Sequence, residues 1–444
     1  MRERVQLPVD FMKYHRRLAG ANPIRVTGKV CEIVGLLVEG QGPPASIGEV
    51  CEIYPNDRLK PVSAEVVGFK KGKALLMPLE TSRGLSPGCR ILSVGKRATS
   101  GVGGGLLGRV IDGLGKPIDN KGPLSCTEQY PLYAEPINPL QRRRIKEPVD
   151  LGVRVLNGLF TCGRGQRMGV FAGSGVGKSI LMGMMAKNTD AHVNVIGLIG
   201  ERGREVREFL EKNLGEAGLQ KSVIVVAASD MHPLVRTRAA YLATAIAEYF
   251  RDQGQDVLLM IDSLTRFAMA LREIGLSVGE PPTTKGYTPS VFSVLPRLLE
   301  RAGTIEGGGS ITGLYTILVE GDDFNEPISD SARSILDGHI ALSRHLANQN
   351  HYPAVDILGS ISRVMVDIVD EEHRKMANEV IHIMATYRKA EDLINIGAYV
   401  AGSNPDIDHA IKMMPRVNAF LRQGMEEKVS SRQTREELQR LFQG

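Results

Sequence analysis

The stretch that decides the fold reads Ala172-Gly173-Ser174-Gly175-Val176-Gly177-Lys178-Ser179. It follows a strand-like apolar run at 167–171 and precedes a helical run at 180–186. A phosphate-binding loop requires that strand–loop–helix context. Glycines let successive backbone N–H groups turn toward one point, and the following helix adds its amino-terminal donors and dipole. Lys178 then supplies a fixed positive charge for the β- and γ-phosphates, and Ser179 an oxygen ligand for Mg2+. The first position holds Ala172 where the usual pattern has glycine, but the tightest turns lie at the later glycines.

Working outward, strand-like runs at 193–199, 222–227, 257–261, 311–319 and 339–342 alternate with helical stretches. Two of these helices span 204–214, closed by Gly215, and 233–252, closed by Gly254. Continuous apolar strands separated by helices indicate an α/β core, a parallel sheet covered on both faces. The 257–261 run ends in Asp262, which the sheet would deliver beside the phosphate loop to hold a Mg2+ shell; the alternative is a cap on the next helix. The 195–200 run ends in Glu201-Arg202-Gly203-Arg204. Glu201 is placed to act as general base and Arg202 to touch the γ-phosphate, or the group is a surface charge cluster opening a helix. Charge compensation on the transferred phosphoryl calls for an arginine from outside the loop, and spacing does not single one out.

Before the core, β-rich runs at 25–34, 48–54, 63–69, 73–79 and 89–92 are separated by turns and have no helices between them, the pattern of a small β-barrel. The first twenty residues place Leu7, Phe11, Tyr14 and Leu18 at helical spacing among basic residues. They form an amphipathic segment that docks or takes a partner, or else a frayed terminus. The chain reads as helical after Glu371. The domain expectation is therefore 1–22 amphipathic segment, 23–95 barrel, 96–372 nucleotide core and 373–444 helical end. The whole has 444 residues and a net charge of +5, with 42% apolar and 24% charged residues. These values exclude a disordered chain, and the sequence has neither a membrane-length apolar run nor a secretory signal. Five cysteines, odd in number and without zinc-ligand spacing, fit a reduced cytosolic protein.

Taken together, 172–179, 200–206, 258–266, 286–303, 352–363 and 108–122 resemble the hexameric ATPases of type III protein export, relatives of the catalytic subunit of rotary ATP synthase. The resemblance implies a RecA-like P-loop core with a parallel sheet, an oligomerising barrel before it and a helical domain after it. It implies ATP and Mg2+ as cofactors, with Lys178, Ser179 and Asp262 at phosphate and metal, Glu201 as base and Arg202 on phosphate. Arg363 would be the finger that reaches the neighbouring subunit, and Tyr352 would stack on adenine, the plainer reading being packing beside Pro353. Because Glu201 and Arg363 occur in one chain, every interface of a homohexamer would be competent. Residues 172–179 and 229–240 look more like the flagellum-specific branch than the virulence-secretion ATPases. The implied partners are a regulatory export protein on the amino-terminal segment, export gate and stalk proteins, and chaperone–cargo complexes, on the cytoplasmic face of the membrane. The paired Glu426 and Glu427, followed by Lys428, do not form the acidic segment that contacts the rotor in the synthase. That speaks against proton-driven synthesis. A hexameric RNA or DNA translocase would share the core, but the barrel offers only Tyr54 and Phe69 for base stacking and intersperses Glu49, Glu52, Asp57 and Glu65 among its basic residues. No sequence-specific nucleic-acid partner is expected. A non-catalytic nucleotide-binding ring subunit is disfavoured by the presence of Lys178, Glu201 and Asp262 together.

Overall fold

The computed structural model describes residues 11–12, 14–15, 26–56, 60–319, 321, 323–324 and 326–443, without the side chains of Lys96 and Arg97. The amphipathic segment expected at 1–22 lies outside the described residues except for Phe11, Met12, Tyr14 and His15, which are helical and exposed. The chain forms two compact units, 1–97 and 98–444. Among the described residues, no helix is long and apolar enough to cross a membrane.

The first unit is a closed antiparallel barrel of β1 (Thr27–Val34), β2 (Leu37–Gln41), β3 (Glu49–Tyr54), β4 (Val62–Lys70), β5 (Lys73–Pro78) and β6 (Arg90–Arg97), ordered β1-β2-β5-β4-β3-β6. Inward residues such as Val30, Val38, Ile53, Val66, Leu76 and Ile91 fill it. It has six strands where the sequence suggests five. The extra one, β2, is the return arm of a hairpin whose turn contains Gly35 at φ +57°. The run read at 25–34 ends with β1, and β2, only five residues long and leading straight into the turn residues at 40–44, does not stand out as a run of its own.

The second unit holds β7 (Arg109–Asp112), β8 (Arg167–Ala172), β9 (Val193–Ile199), β10 (Ser222–Ala227), β11 (Asp256–Asp262), β12 (Ser310–Leu318), β13 (Gly338–Leu342) and β14 (Val355–Ser362). They lie in the order β14-β13-β8-β12-β11-β9-β10-β7, parallel throughout except that edge strand β14 runs antiparallel to β13. Both faces are covered. In β11, Val257, Leu259 and Ile261 enter one core while Leu258 and Met260 enter the other, which is why the strand is apolar without alternation.

The helices that matter for the site are α1 (Arg154–Leu159), α2 (Lys178–Asn188), α3 (Gly203–Glu208), α4 (Pro233–Asp252), α5 (Leu264–Val278), α6 (Glu371–Asn395), α7 (Pro405–Leu421) and α8 (Ser431–Phe442). Gly215 closes the helical stretch that follows Glu201, as the sequence suggests. After α3 a π-helical turn at Phe209–Leu214 leads into a further helix at Gly215–Gln220. Gly215, at φ +66° and ψ 178°, ends the first stretch, and the second helix starts directly from it. The carboxyl-terminal helices are fastened to the nucleotide core through buried Arg154. Its guanidinium pairs with Glu427 and with Glu437 (2.6 Å) and donates to the Arg422 carbonyl (2.7 Å).

Candidate active site

Ala172 ends β8 as a buried residue and the chain then turns through Gly173 to Gly177. Ser174 and Gly175 are exposed, whereas Val176 is buried and pins the loop to the core. Gly177 is the residue before α2, at φ +90°. A Cβ there would make ordinary van der Waals contact with the Tyr352 ring (3.4 Å), so it is the backbone conformation that asks for glycine. Lys178 and Ser179 begin the helix. Arg344 Nη1 donates to the Ser174 carbonyl (3.1 Å) and braces the loop from the β13 side.

The carboxyl ends of three strands converge on Lys178. Its Nζ binds Asp262 Oδ1 at the end of β11 and Glu201 Oε1 (3.3 Å), two residues beyond β9. The Asp262 side chain is only 4% exposed and Oδ1 accepts a second bond, from Thr316 Oγ1 on the intervening β12 (2.6 Å). Asp262 is not a helix cap: that role falls to Ser263, whose side chain accepts from Arg266 N–H (3.2 Å). Burial opposes the charge on Lys178, but the two carboxylates outweigh it and hold the lysine above its ordinary pKa.

Glu201 is 16% exposed at the side chain and therefore not part of a surface cluster. Burial, then the neighbouring charge of Asp262, pushes its carboxyl up to about 7 against the pull of Lys178. A side-chain hydrogen bond with Glu205, one turn into α3, raises it further and lowers Glu205. Gly200, at φ +71°, allows the turn that aims Glu201 inward; a Cβ there would meet the Arg266 side chain at 2.8 Å.

Three predicted residues lie apart from this cluster. Arg202 is 80% exposed and pairs with Glu205 (3.4 Å), because the chain reverses at Gly200 and sends consecutive side chains to opposite sides. Tyr352 stands 39% exposed against the loop at Gly177, its hydroxyl donating to the Ala347 carbonyl (3.4 Å) and its own carbonyl accepting from Gln423 N–H (3.0 Å). Arg363 follows β14 at the other edge of the sheet. Ser362 pairs with Gly338, and His339 with Gly169, so Arg363 leaves the sheet level with the start of β8. Four strand residues, about 13 Å, separate that level from the phosphate loop. Sequence reasoning missed Thr316, Glu205 and Arg344. Only Glu205, one helical turn beyond Glu201, had a spacing that could have revealed it.

This geometry has close counterparts. Residues 152–362 match the ATP synthase alpha/beta family nucleotide-binding domain, 30–95 that family's beta-barrel domain, and 369–440 the type III secretion EscN ATPase C-terminal domain. The flagellum-specific ATP synthase of Bacillus subtilis is 54% identical over 90% of this chain and 91% of its own. The type 3 secretion system ATPase of Xanthomonas euvesicatoria is 50% identical over 94% of each chain. Assembled EscN from enteropathogenic E. coli superposes with a TM-score of 0.88 at 47% identity, covering 93% of this chain and 99% of its own. The chain belongs to the ATP synthase alpha/beta family, in its branch of flagellum-specific and type III secretion ATPases. It is thus an ATPase of the type III export class.

Proposed function

We propose that copies of this chain form a homohexameric ring that hydrolyses ATP at each subunit interface and so energises or gates export of flagellar proteins. The observation that carries this reading is the separation within one chain: the loop, base and metal carboxylate share one sheet edge, and Arg363 lies at the other. An exposed arginine at the far edge serves a site only if a neighbour brings that site to it. Assembled EscN, and EscN in complex with its central stalk EscO, support a ring with a stalk partner. In this reading 23–95 is the oligomerising barrel, 96–372 the nucleotide core and 373–444 a helical domain. Residues 1–22 meet a regulatory protein, and the ring works on the cytoplasmic side of the membrane with the export gate and chaperone–cargo complexes. The identities to flagellum-specific relatives favour flagellar export. The Xanthomonas relative, at comparable identity, favours a virulence system as the second reading.

Backbone N–H groups of Gly173 to Lys178 would cradle the triphosphate, with Lys178 Nζ moving from the two carboxylates onto phosphate oxygens. Ser179 and Asp262 offer the hard oxygen donors that suit Mg2+, which when bound would spread the charge of the phosphates. Among the described residues no group of three acids, histidines or cysteines forms a metal cage, so phosphate oxygens would complete the shell. Ionised Glu201 accepts the proton of the attacking water as its oxygen bonds to the γ-phosphorus and the bond to ADP breaks, giving ADP and phosphate. Arg363 of the adjoining copy would meet the charge that develops, Tyr352 would stack on adenine, and Arg202 would have to swing inward to reach phosphate. Arg363→Ala is expected to lower turnover by about 10³-fold with the hexamer intact by sedimentation. Full turnover in that assembled variant would overturn the interfacial site.

A further inference from the structure

The amino edge of the sheet contains a bonded unit around Asp337, which immediately precedes β13. Its carboxylate takes the Arg167 guanidinium in a two-pronged pair, Oδ2 to Nε (3.0 Å) and Oδ1 to Nη2 (3.1 Å). Oδ2 also accepts from Arg167 N–H (3.1 Å), and Asp337 N–H donates to the Arg167 carbonyl (2.8 Å). The Asp337 carbonyl accepts from Arg363 N–H (3.0 Å) and from Gln166 Nε2 (3.1 Å). Gln166 Nε2 also reaches Ser362 Oγ (3.1 Å), which donates to the Thr161 carbonyl (2.9 Å). Among the described residues the Arg363 guanidinium, by contrast, is tethered only at the Arg333 carbonyl (3.5 Å). Its backbone is thus fixed while its side chain is free to work elsewhere.

Arg167 opens β8, and the same strand ends in the phosphate loop. A paired fork has little rotational freedom, so it transmits position better than a single ion contact. We infer that Asp337 and Arg167 are positioning residues for the trans arginine, mounting Arg363 on the strand that carries its own subunit's phosphate loop. This rests on the interfacial reading proposed above. Asp337 touches no substrate; it acts by setting where Arg363 leaves the sheet. Movement of β8 when a subunit's own loop fills would then be carried to the arginine that serves the next site.

The test is turnover in Asp337→Asn, which keeps the shape and loses the charge, and in Arg167→Lys, which keeps the charge and loses the fork. Each should lower kcat by about 10-fold with KM for ATP within about twofold, against about 10³-fold for Arg363→Ala. Rings mixed from Asp337→Asn and Glu201→Gln subunits supply the readout that a merely structural role would not move. Where the site of an Asp337→Asn subunit faces the arginine of a Glu201→Gln subunit, the interface is complete, so mixed rings should exceed the mean of the two pure rings. Mixed rings at that mean, or a raised KM with kcat unchanged, would overturn the positioning role. If both variants fail to assemble, the pair is a folding determinant and the inference also falls. Complementation between Arg363→Ala and Glu201→Gln is scored in parallel. Its success beside failure for Asp337→Asn sinks this inference alone, and its failure sinks the interfacial reading.

Discussion

The two edges of one sheet handle charge in opposite ways. At the carboxyl edge one lysine faces two carboxylates, and the imbalance is met by lifting Glu201 to about 7. At the amino edge two guanidiniums, those of Arg167 and Arg142, meet two carboxylates, Asp337 by a fork from Arg167 and Glu300 shared between the two arginines, with backbone hydrogen bonds on both sides of the Arg167–Asp337 pair. The first arrangement has a charge deficit that a metal cation would fill and a lysine that a triphosphate would claim. The second is closed and resists displacement. The difference separates a place where ligands exchange from a place that keeps geometry, and β8 joins the two.

The severest way to break this contrast is Lys178→Ala. Removing the lysine leaves Asp262 and Glu201 facing each other without it and the triphosphate without its fixed counter-charge. Turnover per hexamer should fall by about 10³-fold while assembly persists, as for other losses of a preorganised charge donor. Near-native turnover would mean that the carboxyl edge is a structural ion cluster like the amino one.

Titration sharpens the contrast next. Only ionised Glu201 accepts a proton, and its raised pKa puts the protonated form in the majority below about 7. From pH 7 to 5, kcat/KM should therefore fall by about 50-fold, approaching tenfold per unit at the acid end, and above pH 8 it should level off. Glu205→Gln replaces a charged acceptor with a neutral amide that can donate to ionised Glu201, so it should move this limb to lower pH. A profile flat between pH 5 and 8, with assembly unchanged, would remove Glu201 from the chemistry.

Legibility in the sequence followed the same division. β9, β10 and α4 begin and end where apolar runs and the caps after them place them, because buried parallel strands tolerate no polar interruption. Asp262 and Glu201 were readable because each is the first charged residue after such a run. The edge strands were not readable: β7 is four residues long, and β14 exposes Leu358, Gly359 and Ile361, which gives no clean alternation. For Arg202, adjacency to Glu201 in sequence gave no side-chain direction across a glycine turn, and its guanidinium stands exposed beside Glu205. Arg363 needed family resemblance, since no spacing in its own chain links it to the phosphate loop and its sheet position lies at the opposite edge. Nothing marked Asp337 either, whose bonds all join segments far apart in sequence.

The smallest effect compares two threonines on β12, four residues apart and both buried. Thr316 donates to Asp262 Oδ1 at the carboxyl edge, while Thr312 Oγ1 accepts from Gly165 N–H (2.9 Å) near the amino edge. Valine matches the shape of either side chain and deletes one hydrogen bond, which lowers stability by about 1 kcal/mol in both cases. The readouts should part at the metal. Thr316→Val frees the carboxylate that would hold Mg2+, and a lost outer-shell bond of this kind weakens metal binding by about 10-fold. The Mg2+ concentration giving half-maximal turnover should rise by that factor in Thr316→Val and stay put in Thr312→Val. Equal shifts would mean that the two ends of the strand do the same work, and an unchanged Mg2+ requirement in both would free Asp262 from the metal role.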